Sequence, residues 1–113
     1  MRHKGELVYP NLFMSLAREH VTYYILQAQG PGRTRIDCHF LFEPAEMELM
    51  DFDPSDVVDF WHIVNQQDWA ICKRVQQGMS ARVHERGVYA PMEDWNLDFR
   101  KYVQDRIGPH AED

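Results

Sequence analysis

The chain has 113 residues, 44% of them hydrophobic and 27% charged, with a formal net charge of −6. That length bounds it to one domain with a modest core. The acidic balance, with no basic stripe to set against it, excludes a nucleic-acid footprint and an anionic membrane surface as partners.

No apolar run approaches the roughly 18 residues of a membrane-spanning helix. The opening MRHKGELVYPN has no continuous apolar segment behind its basic residues, so it does not read as a secretion signal. A cytoplasmic location is the expectation. Cys38 and Cys72 fall in segments predicted as strand and helix, and in that compartment they are expected as free thiols.

In chain order, residues 6–16 alternate loosely, with Leu12, Met14 and Leu16 on one face and Phe13 and Ser15 on the other. This predicts a strand, interrupted at Pro10, at an edge or a bulge. Residues 21–28, VTYYILQA, are β-branched and aromatic and predict a second strand. QGPG marks a turn; no helix start or GKS/T follows it, so it is not a phosphate loop. Residues 33–42 alternate cleanly, with Ile36, Cys38, Phe40 and Phe42 facing one way and Arg35, Asp37 and His39 the other. Three strands with short connections predict an antiparallel meander with one buried and one wetter face.

Asp53, Pro54 and Asp56 then form a helix start signal. The predicted helix runs over 54–79, about 37 Å at 1.5 Å per residue. Residues 80–91 read as a loop. A shorter helix is predicted over 92–107, where Trp95, Phe99, Tyr102 and Val103 recur at helical spacing. The expected fold is therefore α+β: an antiparallel β-meander packed against a long helix, with a short second helix after it. Three strands make a narrow sheet with open edges, which hints at a piece of a larger unit.

The long helix carries an anomaly. With Val64 at zero and about 100° per residue, Val57, Phe60, Trp61, Ile71, Cys72, Val75 and Met79 form one apolar stripe about 120° wide, and Asp68 falls inside it at about 40°. A buried lone carboxylate costs several kcal/mol, so it must be paired, protonated or bound to a metal. An internal partner such as Arg35 or Tyr24 would satisfy it, and so would a metal or a catalytic role. Asn65, at about 100°, sits on the rim of the stripe within reach of that carboxylate.

The remaining candidates read more simply. His39 is a solvent-side strand residue, His62 lies on the polar face of the helix and His84 lies in a loop. No two histidines have a local metal-ligand spacing, and a site built from His39 and Asp68 is disfavoured. Cys72, Phe60 and Trp61 read as core residues, and no base is in evidence to make Cys72 a nucleophile.

The blocks YPNLFMSL, GRTRIDCHFLFEP, FDPSDVVDFWHIVNQQDWAICKRVQQGMSA and YAPMEDWNLDFRKYV, in that order, resemble the C-terminal part of the catalytic domain of Rieske-type non-haem iron oxygenase alpha subunits. These are the aromatic-ring-hydroxylating enzymes. The resemblance covers residues 9–107 and implies a partial helix-grip (START-like) fold. It implies that Asp68 is the carboxylate of a two-histidine, one-carboxylate Fe(II) site, an arrangement that leaves positions open for oxygen and substrate. It also implies that Trp61, Val64 and Asn65 line the substrate pocket.

The implied substrate is a small, aromatic or other organic molecule, with O2 as co-substrate and a ferredoxin or reductase as electron donor. Relatives form trimers. The Rieske 2Fe-2S domain is absent from this chain, because Cys38 and Cys72 stand in no Cys-x-His or Cys-x-x-His motif. The paired iron histidines are absent too, since no two histidines here lie closer than 17 residues apart. Many relatives are acidic where this chain has Lys73. The implied role is one iron ligand from a chain that is inactive alone. The alternative is a non-catalytic helix-grip module for ligand binding or subunit association.

Overall fold

In the computed structural model, residues 3–108 are described. Four strands, β1 (Lys4–Val8), β2 (Leu12–Leu16), β3 (His20–Gly30) and β4 (Arg33–Phe42), form one antiparallel sheet in the order β1-β2-β3-β4. Three helices follow: a one-turn α1 (Pro44–Met47), the long α2 (Ser55–Met79) and α3 (Asp94–Ile107). The expected α+β meander with a long and a short helix is present. The expected first strand over 6–16 is corrected to a hairpin. Tyr9, Pro10 and Asn11 turn the chain, and β1 then pairs with β2 through Leu7↔Phe13 and Val8↔Leu12. A proline that cannot donate to a ladder marks a reversal here and not a bulge. The short α1 was not expected from the sequence.

α2 starts one residue later than its signal predicts. The Asp53 carboxylate accepts the Ser55 backbone N–H at 2.9 Å, and Val58 N–H reaches the Pro54 carbonyl at 3.0 Å. The bond from Ser55 holds the Asp53 carboxyl below its usual range. At the far end the Ser80 hydroxyl donates to the Gln76 carbonyl at 3.0 Å.

Cross-strand pairing fixes the two faces of the sheet. Ser15↔Thr22↔Phe40 and Phe13↔Tyr24↔Cys38 share the face on which α2 lies. There the Trp61 indole N–H points to His20 Nε2 at 3.4 Å, and Phe52 meets Phe42 edge-on at 5.3 Å. α3 begins over the same face, since a Cβ built on Gly5 would meet the Trp95 ring at 3.9 Å. It is held by Tyr9, whose ring lies 5.7 Å from Phe99 and 4.6 Å from Tyr102, with the Arg106 guanidinium 3.4 Å over the Tyr102 ring.

The opposite face presents Val8, Leu12, Met14, Leu16, Val21, Ile25 and Leu41, with Tyr23 stacked on His39 at 4.6 Å. None of this set is fully buried, and Val8 and Leu41 are exposed. The same face also carries Lys4, Glu6, Arg35, Asp37 and His39, so it is the wetter one, as expected, while the buried Ser15 and Thr22 lie on the α2 side; neither face is sealed.

Among the described residues no hydrophobic side chain is fully buried; the buried ones are Ser15, Thr22 and Asn65. The chain exposes 10008 Å², against about 6,500 Å² for a compact protein of its mass. Its radius of gyration is 17.9 Å, against about 13 Å for a compact domain of this length. The elements are well formed, but they enclose little.

Candidate metal-ligand site on the long helix

The seat of α2 on the sheet is polar. Asn65, 7% exposed, is the one fully buried residue of the helix. Its Oδ1 accepts the Tyr24 hydroxyl at 2.8 Å, and its Nδ2 faces Cys38 Sγ at 3.8 Å. Trp61, one turn earlier, sets its ring edge-on to Tyr24 at 6.5 Å. Asn65 therefore stands at the centre of the interface, a correction to its expected place on the rim. Both ends of its amide are used, as a buried amide requires.

This seat raises two pKa values. Burial first, then the neighbouring Cys38 charge, pushes the Tyr24 phenol up to about 12, with the charge of Asp68 a smaller contributor. Burial is also the main cause that pushes the Cys38 thiol up. A folded-state phenol pKa above the unfolded value of about 10 adds stability that is complete below pH 10 and lost as pH rises through 12. Allowing for solvent screening at this half-buried site, the loss is about 1 kcal/mol. Urea titrations at pH 9 and pH 12 are expected to show it, and Tyr24→Phe to abolish it. Behind the seat, Thr22 is fully buried and its Oγ1 has no hydrogen-bond partner among the described residues.

Asp68 lies one turn beyond Asn65 and is exposed. The expectation that it is buried among core side chains is corrected. Arg35, one suggested partner, pairs with Asp37 at 3.0 Å, and Tyr24, the other, donates to Asn65. Among the described residues Asp68 enters no ion pair; the pairs are Lys4–Glu6 and Arg35–Asp37. It escapes burial because α2 and the sheet part company there. Residues 70–80 are all exposed, and so are 27–35 at the tip of the β3–β4 hairpin. The carboxylate stands at the mouth of that opening.

The other sequence candidates separate clearly. Trp61 and Val64 are half-buried on α2. His39 and His62 are exposed, as expected, and His84 lies in the loop before α3. Cys72 is exposed and free, not a core residue, and Cys38 is free as well. Among the described residues no group of three His, Cys, Asp or Glu side chains could hold a metal. What sequence reasoning missed is the Tyr24–Asn65–Cys38 cluster. Its signal was a polar residue one turn before the carboxylate, beneath a helix otherwise rich in apolar side chains.

A family model for the ring hydroxylating alpha subunit (catalytic domain) matches residues 5–109. The chain belongs to this ring-hydroxylating family. No curated protein and no solved structure matches it. The family is a ring-hydroxylating oxygenase domain, so the chain is part of an oxidoreductase. Such domains generally depend on non-haem iron. The donor set of this ring-hydroxylating chain suits that metal only in part. Asp68 offers an open, unpaired carboxylate oxygen, the ligand type ferrous iron accepts, and no second or third ligand adjoins it among the described residues. No helix of the described residues is long and apolar enough to cross a membrane.

Proposed function

We propose that this chain contributes the carboxylate ligand, Asp68, to the mononuclear Fe(II) site of an oxygenase that hydroxylates an aromatic or other small organic substrate with O2. The observation that carries the reading is the family match across α2, on which Asp68 is left open and unpaired. A tightly seated structural carboxylate would be paired or hydrogen-bonded. When bound, the iron would supply oxygen activation. The chain's own part is to hold one ligand on a stiff helix and to wall one side of the substrate space.

In this reading the sheet and α2 form the grip of a helix-grip (START-like) domain, represented here by its C-terminal portion. The two histidines, the Rieske 2Fe-2S cluster and the contacts to a ferredoxin or reductase come from outside this chain, and the working assembly is a trimer. Trp61 and Val64 would line the pocket from the helix side. Asn65, proposed from the resemblance as a lining residue, has both ends of its amide engaged and serves the wall more than the substrate. The association reading has one observation in its favour, the unsealed apolar surface. Completion of the domain by further polypeptide accounts for that surface as well.

Anaerobic Fe(II) titration tests the reading. The chain alone is expected to show no micromolar affinity. Joined to the histidine-bearing portion of such a catalytic domain, it is expected to load iron, and Asp68→Ala to lose that loading by at least about tenfold, the lower end of what even an outer partner of a metal ligand costs. Micromolar binding by the chain alone that depends on Asp68, or full loading of the joined domain without it, would overturn the reading.

A further inference from the structure

Two backbone hydrogen bonds fix which way each strand turns its amides. Ala17 N–H donates to the His20 carbonyl and Leu26 N–H to the Asn11 carbonyl, each at 3.0 Å. In an antiparallel ladder both backbone groups of a residue point to one side, and the side alternates along the strand. The even-numbered residues of β3 therefore face β2, and Val21, Tyr23, Ile25 and Gln27 face β4, where they pair with Leu41, His39, Asp37 and Arg35. The remaining N–H and C=O groups of β4, on Thr34, Ile36, Cys38, Phe40 and Phe42, point out of the sheet, because β4 is its edge. Among the described residues they have no backbone partner. At the other edge the same phase turns only Gly5 and Leu7 of β1 outward.

The outward set on β4 is symmetric about Cys38. We propose that β4 is a self-pairing edge: a second copy of this chain docks on it antiparallel, about a two-fold axis at Cys38, and the two sheets become one. Such an axis stands perpendicular to the sheet and keeps both α2 helices on the same side. In this register Thr34 meets Phe42 of the second copy, Ile36 meets its Phe40 and Cys38 meets its Cys38. Every outward N–H and C=O then finds a partner, which an edge strand otherwise leaves to water. The side chains agree with the backbone. Asp37 faces His39 of the second copy and Arg33 faces its Glu43, each twice, and no like charges stand opposed. Centring the pair on Asp37 would set that carboxylate against its own copy and Arg35 against His39. Centring it on His39 would put Thr34 opposite Pro44, which has no N–H to donate. The net charge of −6 opposes association of like chains, but along this edge Arg33 and Arg35 offset Asp37 and Glu43. There is also room above the sheet. α2 is seated on β3 and β4 through Tyr24 and Cys38, so its axis lies about 5 Å from the two-fold and the two helices about 10 Å apart, the spacing of packed helices.

Sedimentation and NMR on the full chain, without metal, test the docking. A discrete dimer with a micromolar dissociation constant is expected. In a mixed-isotope sample an Hα–Hα contact between Asp37 of one copy and His39 of the other is expected, because these form the closely spaced pairs of the ladder. Glu43→Arg is expected to weaken the dimer about tenfold by setting like charges at both ends of the interface, and Arg33→Glu/Glu43→Arg together to restore it. Arg33 and Glu43 are exposed, enter no ion pair among the described residues, and Glu43 makes no side-chain cap to α1, so the substitutions leave the fold in place. A chain that stays monomeric at millimolar concentration would overturn the proposal. So would a dimer that ignores the charge reversal or lacks the Asp37–His39 contact. None of these results bears on Asp68, which the Fe(II) titration judges separately.

Discussion

In isolation the chain is expected to unfold with a free energy of only about 1–3 kcal/mol, below the roughly 5–15 kcal/mol of ordinary domains. It is also expected to bind a hydrophobic dye without denaturant. The reason is the absence of any fully buried hydrophobic side chain among the described residues. Folding orders the backbone at about 1–2 kcal/mol per residue, and burial of apolar area must offset that cost. Here roughly 3,500 Å² more surface stays in water than in a compact protein of this mass. Urea unfolding followed by circular dichroism gives the free energy, and sedimentation velocity gives the shape. A sharp transition above about 5 kcal/mol with no dye binding would show that the chain seals its own core, against this expectation. On the proposed function, addition of the histidine-bearing portion of such a catalytic domain should raise the midpoint steeply, since a partner that binds only the folded state stabilises it by mass action.

Two neighbouring substitutions on α2 should part company. Asn65→Ala leaves the Tyr24 hydroxyl and the Cys38 thiol facing an emptied seat, a cost of about 1–3 kcal/mol. On so thin a margin that suffices to unfold much of the population. Asp68→Ala removes an exposed group with no hydrogen bond or ion pair among the described residues, so the stability should stay within about 0.5 kcal/mol of the parent. The urea midpoints of the two variants settle the ranking. If Asp68 were buried and paired in the chain's interior, the order would reverse. Together with the iron titration, the pair separates a residue that holds the helix from a residue left free for a ligand.

The sequence carried the elements well. Alternation over 33–42 and the Asp53–Pro54 start gave β4 and α2 to within a residue, because local geometry decides both. The break at Pro10 was visible, but its meaning was not. Whether a strand bulges or reverses depends on a partner strand that periodicity does not name. The stripe on α2 was also real, but only its first half, Val57, Trp61 and Val64, is half-buried, and residues 70–80 are all exposed. Periodicity tells which side chains share a side of a helix. It does not tell how far along the helix the sheet extends, or that a polar residue such as Asn65 sits in the contact with Tyr24. Asp68 was singled out as anomalous because of the company it keeps. The anomaly dissolves once that company, Ile71 and Val75 included, is seen to be exposed too.

The order of the strands has a kinetic meaning. Because β1, β2, β3 and β4 lie in the sheet in the order of the chain, every ladder closes over a short connection: 9–11, 17–19 and 31–32. Local pairings of this kind form quickly, since little loop entropy is lost before the first hydrogen bonds are gained. The meander can thus be complete before α2 is seated. During that interval β1 and β4 offer unpaired backbone along both edges of a sheet whose α2 face is still uncovered. For this chain the hazard lies in the waiting after a rapid start, when its edges can pair with those of its own kind.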